Sequence, residues 1–268
     1  MIKKIVLLIL MTIGLFLEAK RVVVVTASYN NEKYYKQNLD SIFAQDHDDW
    51  HLIYIDDCSP DGTGRLVQDY INQEGYSDKV TLINNSERRG ALANQYDAII
   101  SCNDDDIIVI VDGDDTLAHP SVLSFMNTVY KEHDVWLTYG QFAHMSNGMK
   151  GFCAPMPEYV VLHNIFRKYQ DIPSHLRTFY AGLFKKIKKE DLQLEGKFYS
   201  MTGDMAAMIP MIEMASKGHF AFIPYVLLIY NDLNDLNDHK VSQETQRSID
   251  QHIRSLPVYE PLEKLFYL

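Results

Sequence analysis

Asp112, Asp114 and Asp115 lie in the stretch IIVIVDGDDTLAHP, residues 107–120, directly after five apolar residues and with nothing basic beside them. Two carboxylates about 5 Å apart repel by roughly 3 kcal/mol at an effective dielectric near 20, so three together need a counterion, a proton or full exposure. A divalent cation satisfies that need. Mg²⁺ or Mn²⁺ takes hard oxygen ligands, uses one or two carboxylates, and keeps positions open for phosphate oxygens and water. The alternative is an exposed acidic turn ahead of the helix that Pro120 opens. An EF-hand is excluded, because the sixth and twelfth positions counted from Asp112 are Leu117 and Leu123 where Gly and Glu are required.

Such a cluster has to be positioned by regular elements. RVVVVTAS (21–28), WHLIYID (50–56), KVTLINN (79–85) and DIIVIVD (106–112) read as buried strands. Between them YYKQNLDSIFAQ, GRLVQDYINQ and ALANQYDAIISC carry apolar residues at helical spacing. This alternation predicts a parallel sheet, in which ligands bind beyond the carboxyl ends of the strands. The segment ASYNN, the group Asp56, Asp57 and Ser59, and the aspartate cluster are therefore expected on one edge. PSVLSFMNTVYKEH as a helix and VWLTYGQF as a strand continue the pattern. After residue 141 regularity weakens. HMSNGMKGFCAPMPEY reads as a long loop, SHLRTFYAGLFKKI and GDMAAMIPMIEMASKG as helices with Pro210 inside the second, HFAFIPYVLLIYN as one or two strands, and SQETQRSIDQHIRSL as a final helix.

With 268 residues, 47% of them hydrophobic, the chain can bury a large core. The balance of 25 Lys+Arg against 36 Asp+Glu, a net charge of −11, argues against a nucleic-acid partner, since such affinity comes mainly from cations on phosphates. Cys58, Cys102 and Cys153 have no CxxC spacing and suggest neither a disulfide scaffold nor a zinc site; they are expected as small core residues. At the N-terminus MIKK, then IVLLILMTIGLFL, then LEA before Lys20 reads as a signal peptide ending at Ala19, short for a bilayer core of about 30 Å. A secretory or extracytoplasmic location follows. The alternative is an uncleaved anchor that associates the chain with a membrane and leaves the domain facing the cytoplasm.

The succession VVVVTASYNNEKYYKQNLDSIFAQDHDDWHLIYIDDCSPDGT, then NNSERRGALANQYDAI, then VIVDGDDTLAHP resembles the nucleotide-binding half of family 2 glycosyltransferases with the GT-A fold, from Arg21 to about Gly140. A shorter match of Asp112, Asp114 and Thr116 to haloacid-dehalogenase-like phosphohydrolases covers five residues and follows the fourth strand, whereas that motif ends the first strand of its own family. The longer resemblance implies an α/β fold class: a GT-A type Rossmann-like domain with a mostly parallel central sheet flanked by helices. It implies one domain over residues 20–268, with a nucleotide-binding half (20–140) and a less regular acceptor-side half (141–268).

The implied activity is metal-dependent, inverting transfer of a sugar from a UDP- or GDP-sugar to a hydroxyl of a glycan, lipid or protein acceptor. Ala27, Tyr29 and Asp57 correspond to the base site, Arg89 and Asn94 to the diphosphate and sugar region, and Asp112 and Asp114 to nucleotide contacts. Asp114 and Asp115 would hold Mn²⁺ or Mg²⁺, with His239 as a further ligand. Asp204 would be the catalytic base, at a helix start where Gly203 replaces the family's usual Glu. His175 and Arg177, two residues apart, would reach the diphosphate or the acceptor. The rival implications are the phosphohydrolase, with Asp112 as nucleophile and Asp114 as acid/base, and a secreted transferase-like protein that binds without turnover.

Overall fold

Residues covered on both faces need no alternation, and the central strands show this. Every residue of Val22–Val25 and of Ile107–Val111 is buried, as parallel strands under helices on both sides require. The computed structural model describes residues 20–170, 173–237, 240 and 242–266; the N-terminal segment read as a signal peptide and His239 lie outside them. Strands β1 (Val22–Ser28), β2 (Trp50–Asp56), β3 (Val80–Asn84) and β4 (Ile107–Ile110) are parallel, in the order β3-β2-β1-β4. Helices α1 (Tyr35–Phe43), α2 (Thr63–Glu74) and α3 (Ala91–Ser101) join them. The first two bury most of the apolar stripe their spacing predicts, Leu39 and Ile42 on α1 and Val67, Tyr70 and Ile71 on α2, whereas on α3 Leu92 and Ile99 are buried and Ile100 is 42% exposed. β3 is corrected from a buried to an edge strand, with Ile83 39% exposed.

Beyond β4 the same sheet continues through β5 (Thr116–Leu117), β6 (Leu137–His144), β7 (Arg177–Tyr180) and β10 (Phe220–Tyr230), in the order β4-β7-β6-β10-β5. β7 is antiparallel to β4 and β6, β10 is parallel to β6, and β5 is antiparallel to β10. The result is an α/β fold on one mostly parallel sheet of eight strands. Helix α4 (Val122–Glu132) follows β5 and α5 (Glu158–Leu162) follows β6; the pair β8 (Gln193–Leu194) and β9 (Lys197–Phe198) forms a separate small ribbon.

The expected helix over SHLRTFYAGLFKKI is instead β7 followed by the short helix α6 (Ala181–Phe184). Leu176, Phe179, Tyr180, Leu183 and Phe184 fall at helical spacing, but all four β7 residues are buried between two neighbouring strands, which erases the period of two. HFAFIPYVLLIYN forms one strand, with register shifts against β6 between Ile223 and Leu228 around Pro224. Of the cysteines only Cys153 is buried, Cys102 being intermediate and Cys58 exposed, so the expectation of three core thiols is corrected.

Helix α7 (Gly203–Met214) is buried on all sides from Met205 to Met214, Pro210 and Glu213 included. A carboxylate there must be paired. Arg167 supplies the partner: Nε donates to Glu213 Oε1 at 2.8 Å and Nη2 to Oε2 at 2.9 Å. Arg167 Nη1 also donates to the Ile253 carbonyl in the C-terminal helix α8 (Gln243–Ser255), and the Tyr259 amide donates to Glu213 Oε2. Burial raises the Glu213 carboxyl above its ordinary range despite Arg167. One ion pair thus ties α8 and the chain after it to α7. Breaking it leaves an uncompensated buried charge, so Glu213→Ala is expected to cost about 3–5 kcal/mol in urea unfolding, and Arg167→Met with Glu213→Leu less than that.

Candidate active site

Parallel strands deliver their carboxyl ends to one edge, and a cleft of about 340 Å³ opens there. Its walls are the residues after β1 and β4, the first turns of α3 and α7, the start of β7, and the segment 230–237. The aspartate corner is fixed by backbone contacts: Gly113 N donates to Ala27 O at 3.2 Å and Asp115 N to Asp112 O at 3.0 Å. The buried Asn38 side chain on α1 donates to both the Asp112 and Asp115 carbonyls, at 3.0 and 2.8 Å. A Cβ on Gly113 would lie 2.7 Å from Ser28 Cβ and Asn31 Nδ2, so the corner closes on β1 only with glycine there.

The three carboxylates have different surroundings. Asp115 is 1% exposed; its Oδ1 accepts from the Asn231 amide at 2.7 Å, while Oδ2 is buried with no partner among the described residues. Asp114 Oδ2 accepts from Asn234 Nδ2 at 2.6 Å. Asp112 Oδ2 accepts from Arg177 Nη2 at 3.0 Å. Burial pushes the Asp114 carboxyl up to about 6, with Asp112 adding to the effect. Burial and then the two neighbouring carboxylates push Asp115 well above its ordinary range.

The corner does have a cation beside it, contributed by β7. Arg177 is 6% exposed, and its Nη1 lies 3.7 Å from Asp204 Oδ2. Nη2 is also 3.5 Å from His175 Nδ1, whose ring stacks on Tyr230 with centroids 5.6 Å apart. Burial, then Arg177, hold His175 well below the usual imidazole range, in the neutral form that can ligate a metal. Ligand atoms of Asp112, Asp115 and His175 all lie within 4.8 Å of one another. Asp114 is not in that group.

Ala27 and Tyr29 line the cleft, and the Arg88 guanidinium covers the Tyr29 ring at 3.9 Å from its centroid. Arg89 points elsewhere, paired with Asp97 at 2.6 Å. Asp57 is 3% exposed and does not line the cleft. Its oxygens accept from Asn85 Nδ2 and from the Arg89 and Gly90 amides at 2.8 to 2.9 Å. Burial opposes its charge, but these bonds together with Asn94 hold its carboxyl below the ordinary range. Asn94 is buried, its Oδ1 accepting from Asn85. Asp57 and Asn94 therefore brace the loop that carries Arg88.

Asp204 lines the cleft from the first turn of α7, with Thr202 rather than Asp204 at the N-cap. A Cβ on Gly203 would lie 3.0 Å from Leu92 Cβ, so Leu92 occupies the room a glutamate would need. Arg88, Asn231 and Asn234 are site residues that sequence reasoning missed. For the asparagines a signal existed in the triplet repeat NDLNDLND. Asn231 Oδ1 accepts from Leu233 N and Asn234 Oδ1 from Leu236 N, two successive turns that place the Asn231 backbone amide on Asp115 and the Asn234 side-chain amide on Asp114.

Sheet order and cleft position define an α/β fold whose ligand site lies beyond the carboxyl ends of the parallel strands. The model of Glycosyl transferase family 2 matches residues 23–192, and the chain belongs to that family. Two Bacillus subtilis (strain 168) proteins whose names provisionally assign them as glycosyltransferases are similar. EpsE is 34% identical over 113 residues, 42% of this chain and 39% of its own length. TuaG, named for teichuronic acid biosynthesis, is 33% identical over 76 residues, 28% of this chain and 29% of its own. The chain thus spans well under half the length of these relatives. Among solved structures, S. aureus TarS matches with a TM-score of 0.60 at 18% identity, over 79% of this chain and 60% of that one. A mannosyltransferase of Pyrobaculum calidifontis with GDP-Man and Mn²⁺ matches with a TM-score of 0.55 at 18% identity, over 87% and 60%.

The raised Asp114 carboxyl has a consequence for stability. The folded form binds a proton that the unfolded chain has lost, so this contribution is complete below about pH 4 and disappears as pH rises through about 6. In EDTA, the melting temperature of wild type is expected to fall across that window more than that of Asp114→Asn. At pH 7.5 the variant should melt higher by roughly 2–6 °C, read by thermal unfolding at several pH values.

Proposed function

We propose that the chain transfers a sugar from a nucleoside-diphosphate donor to an acceptor hydroxyl, with inversion and with a divalent cation. One observation carries this reading: the buried, partnerless Asp115 Oδ2 and its neighbours Asp112 and His175 face a cleft in which Asp204 stands a single guanidinium away. A partnerless carboxylate oxygen beside another carboxylate and a neutral imidazole is a donor set that fits Mn²⁺, and Mg²⁺ less well because of the imidazole. Asp112, Asp115 and His175 would hold the ion, with Asp114 beside it. When bound, such an ion stabilises the negative charge of a departing diphosphate.

The protein's own groups then divide the remaining work. Tyr29 would take a base on the ring face opposite Arg88, while the Arg88 guanidinium on the other face is a cation for phosphate oxygens. The acceptor oxygen attacks the anomeric carbon on the face opposite the diphosphate, the bond from that carbon to the diphosphate oxygen breaks, and Asp204 takes the acceptor's proton. Asp204, partly exposed at the start of α7, is reachable by an acceptor entering past Ser200 and Gln246. GDP-Man in the Pyrobaculum structure and UDP-GlcNAc in a TarS complex support a purine or pyrimidine diphosphate donor as the class to test.

With Mn²⁺ present, UDP or GDP is expected to raise the melting temperature of wild type, because a ligand of the native state stabilises it. Without metal, or in Asp115→Ala, the shift should vanish. Absence of any nucleotide shift across both bases and both metals counts against the assignment. Asp204→Asn should keep the nucleotide affinity and lower kcat by about 10²–10⁴ in a sugar-transfer assay. Nucleotide binding by wild type with no transfer to any acceptor would favour the non-catalytic alternative.

A further inference from the structure

Two of the three groups suited to a divalent cation already touch a cation. Arg177 Nη2 lies 3.0 Å from Asp112 Oδ2 and 3.5 Å from His175 Nδ1, and both residues belong, with Asp115, to the group whose ligand atoms lie within 4.8 Å of one another. An ion held by Asp112 and His175 at the roughly 2.0–2.3 Å of metal–ligand bonds would compete with that guanidinium nitrogen for the same two side chains. Like charges so close in a buried site repel strongly. The guanidinium also has somewhere else to go. Its Nη1 already faces Asp204 Oδ2 at 3.7 Å, longer than a formed hydrogen bond, and its Nε is buried with no partner among the described residues, so the fork is held by Asp112 and His175 and only loosely by Asp204.

We propose that Arg177 is a positioning residue that alternates between the two carboxylates. In the free protein it neutralises Asp112 and competes with a divalent cation for the Asp112 and His175 pair. When the cation and diphosphate fill the site, Arg177 yields Asp112 and closes on Asp204, orienting the base toward the acceptor hydroxyl. This inference rests on the transferase reading for Asp204, but the competition itself does not require turnover.

The test is Mn²⁺ alone, titrated into the full chain without nucleotide and followed by the electron paramagnetic resonance of free Mn²⁺. Arg177→Gln removes the competitor and is expected to bind Mn²⁺ at least tenfold more tightly than wild type, while its kcat for sugar transfer falls at least a hundredfold. A side chain that merely supported the fold would give the opposite sign for the metal. A folded Arg177→Gln protein that binds Mn²⁺ no better than wild type overturns the competition. Arg177→Lys keeps the charge but cannot span both carboxylates, so it should lower kcat about tenfold with an unchanged KM for the donor. Wild-type kcat in this variant overturns the positioning role, and this arm decides the matter should the Gln variant fail to fold. If wild type transfers no sugar, the transferase reading fails, while the Mn²⁺ titration still reports on Arg177.

Discussion

The cost of burying carboxylates at the end of a central strand governs this structure. Asp115 is almost inaccessible, and the donor that meets its Oδ1 is the backbone amide of Asn231, 116 residues later in the chain. That bond, the two-residue pairing of β5 with β10 and the Asn234 amide on Asp114 together seal the first half of the chain against the last strand. A buried acid of this kind is tolerated only where such partners are supplied, and where one oxygen remains without a partner an ion has a reason to bind.

The string IDDCSPDGT acts mostly as a brace. Ser59, Asp61 and Thr63 hold the backbone amides of Asn30, Glu32 and Asn31 in the loop after β1, and Asp57 holds the loop that presents Arg88. Hydrogen bonds to Thr63 and to the Glu32 amide outweigh burial and keep the Asp61 carboxyl below its ordinary range. Site geometry is therefore set one layer behind the cleft, by carboxylates that gain more from backbone amides than from solvent. A single glycine at 113 and a single leucine at 92 complete it, the first by allowing close approach and the second by filling the space beside Gly203.

Much of this was legible along the chain. Runs of Val and Ile announced β1, β2 and β4, the helical stripes announced α1 to α3, and the aspartates announced their corner, because these are local periodicities and local charge conflicts. The strand β7 was not legible. Its four residues are covered on both faces, and their spacing with Leu183 and Phe184 imitates a helix. Between adjacent arginines, sequence favoured Arg89, but the turn at Gly90 aims Arg88 at Tyr29 and Arg89 at Asp97. Asp57 looked like a ligand contact because its type and place suit one, and only the fold shows both its oxygens engaged by the 85–90 loop.

By itself the sequence determined the alternating architecture, the edge on which a site would form, and the need for positive charge at the aspartates; each follows from burial and repulsion between neighbours in the chain. Tertiary structure alone decided where that charge comes from. Arg177 and His175 reach the corner because β7 inserts antiparallel between β4 and β6, pairing Arg177 with Ile110, and no local pattern encodes a contact made across 65 residues.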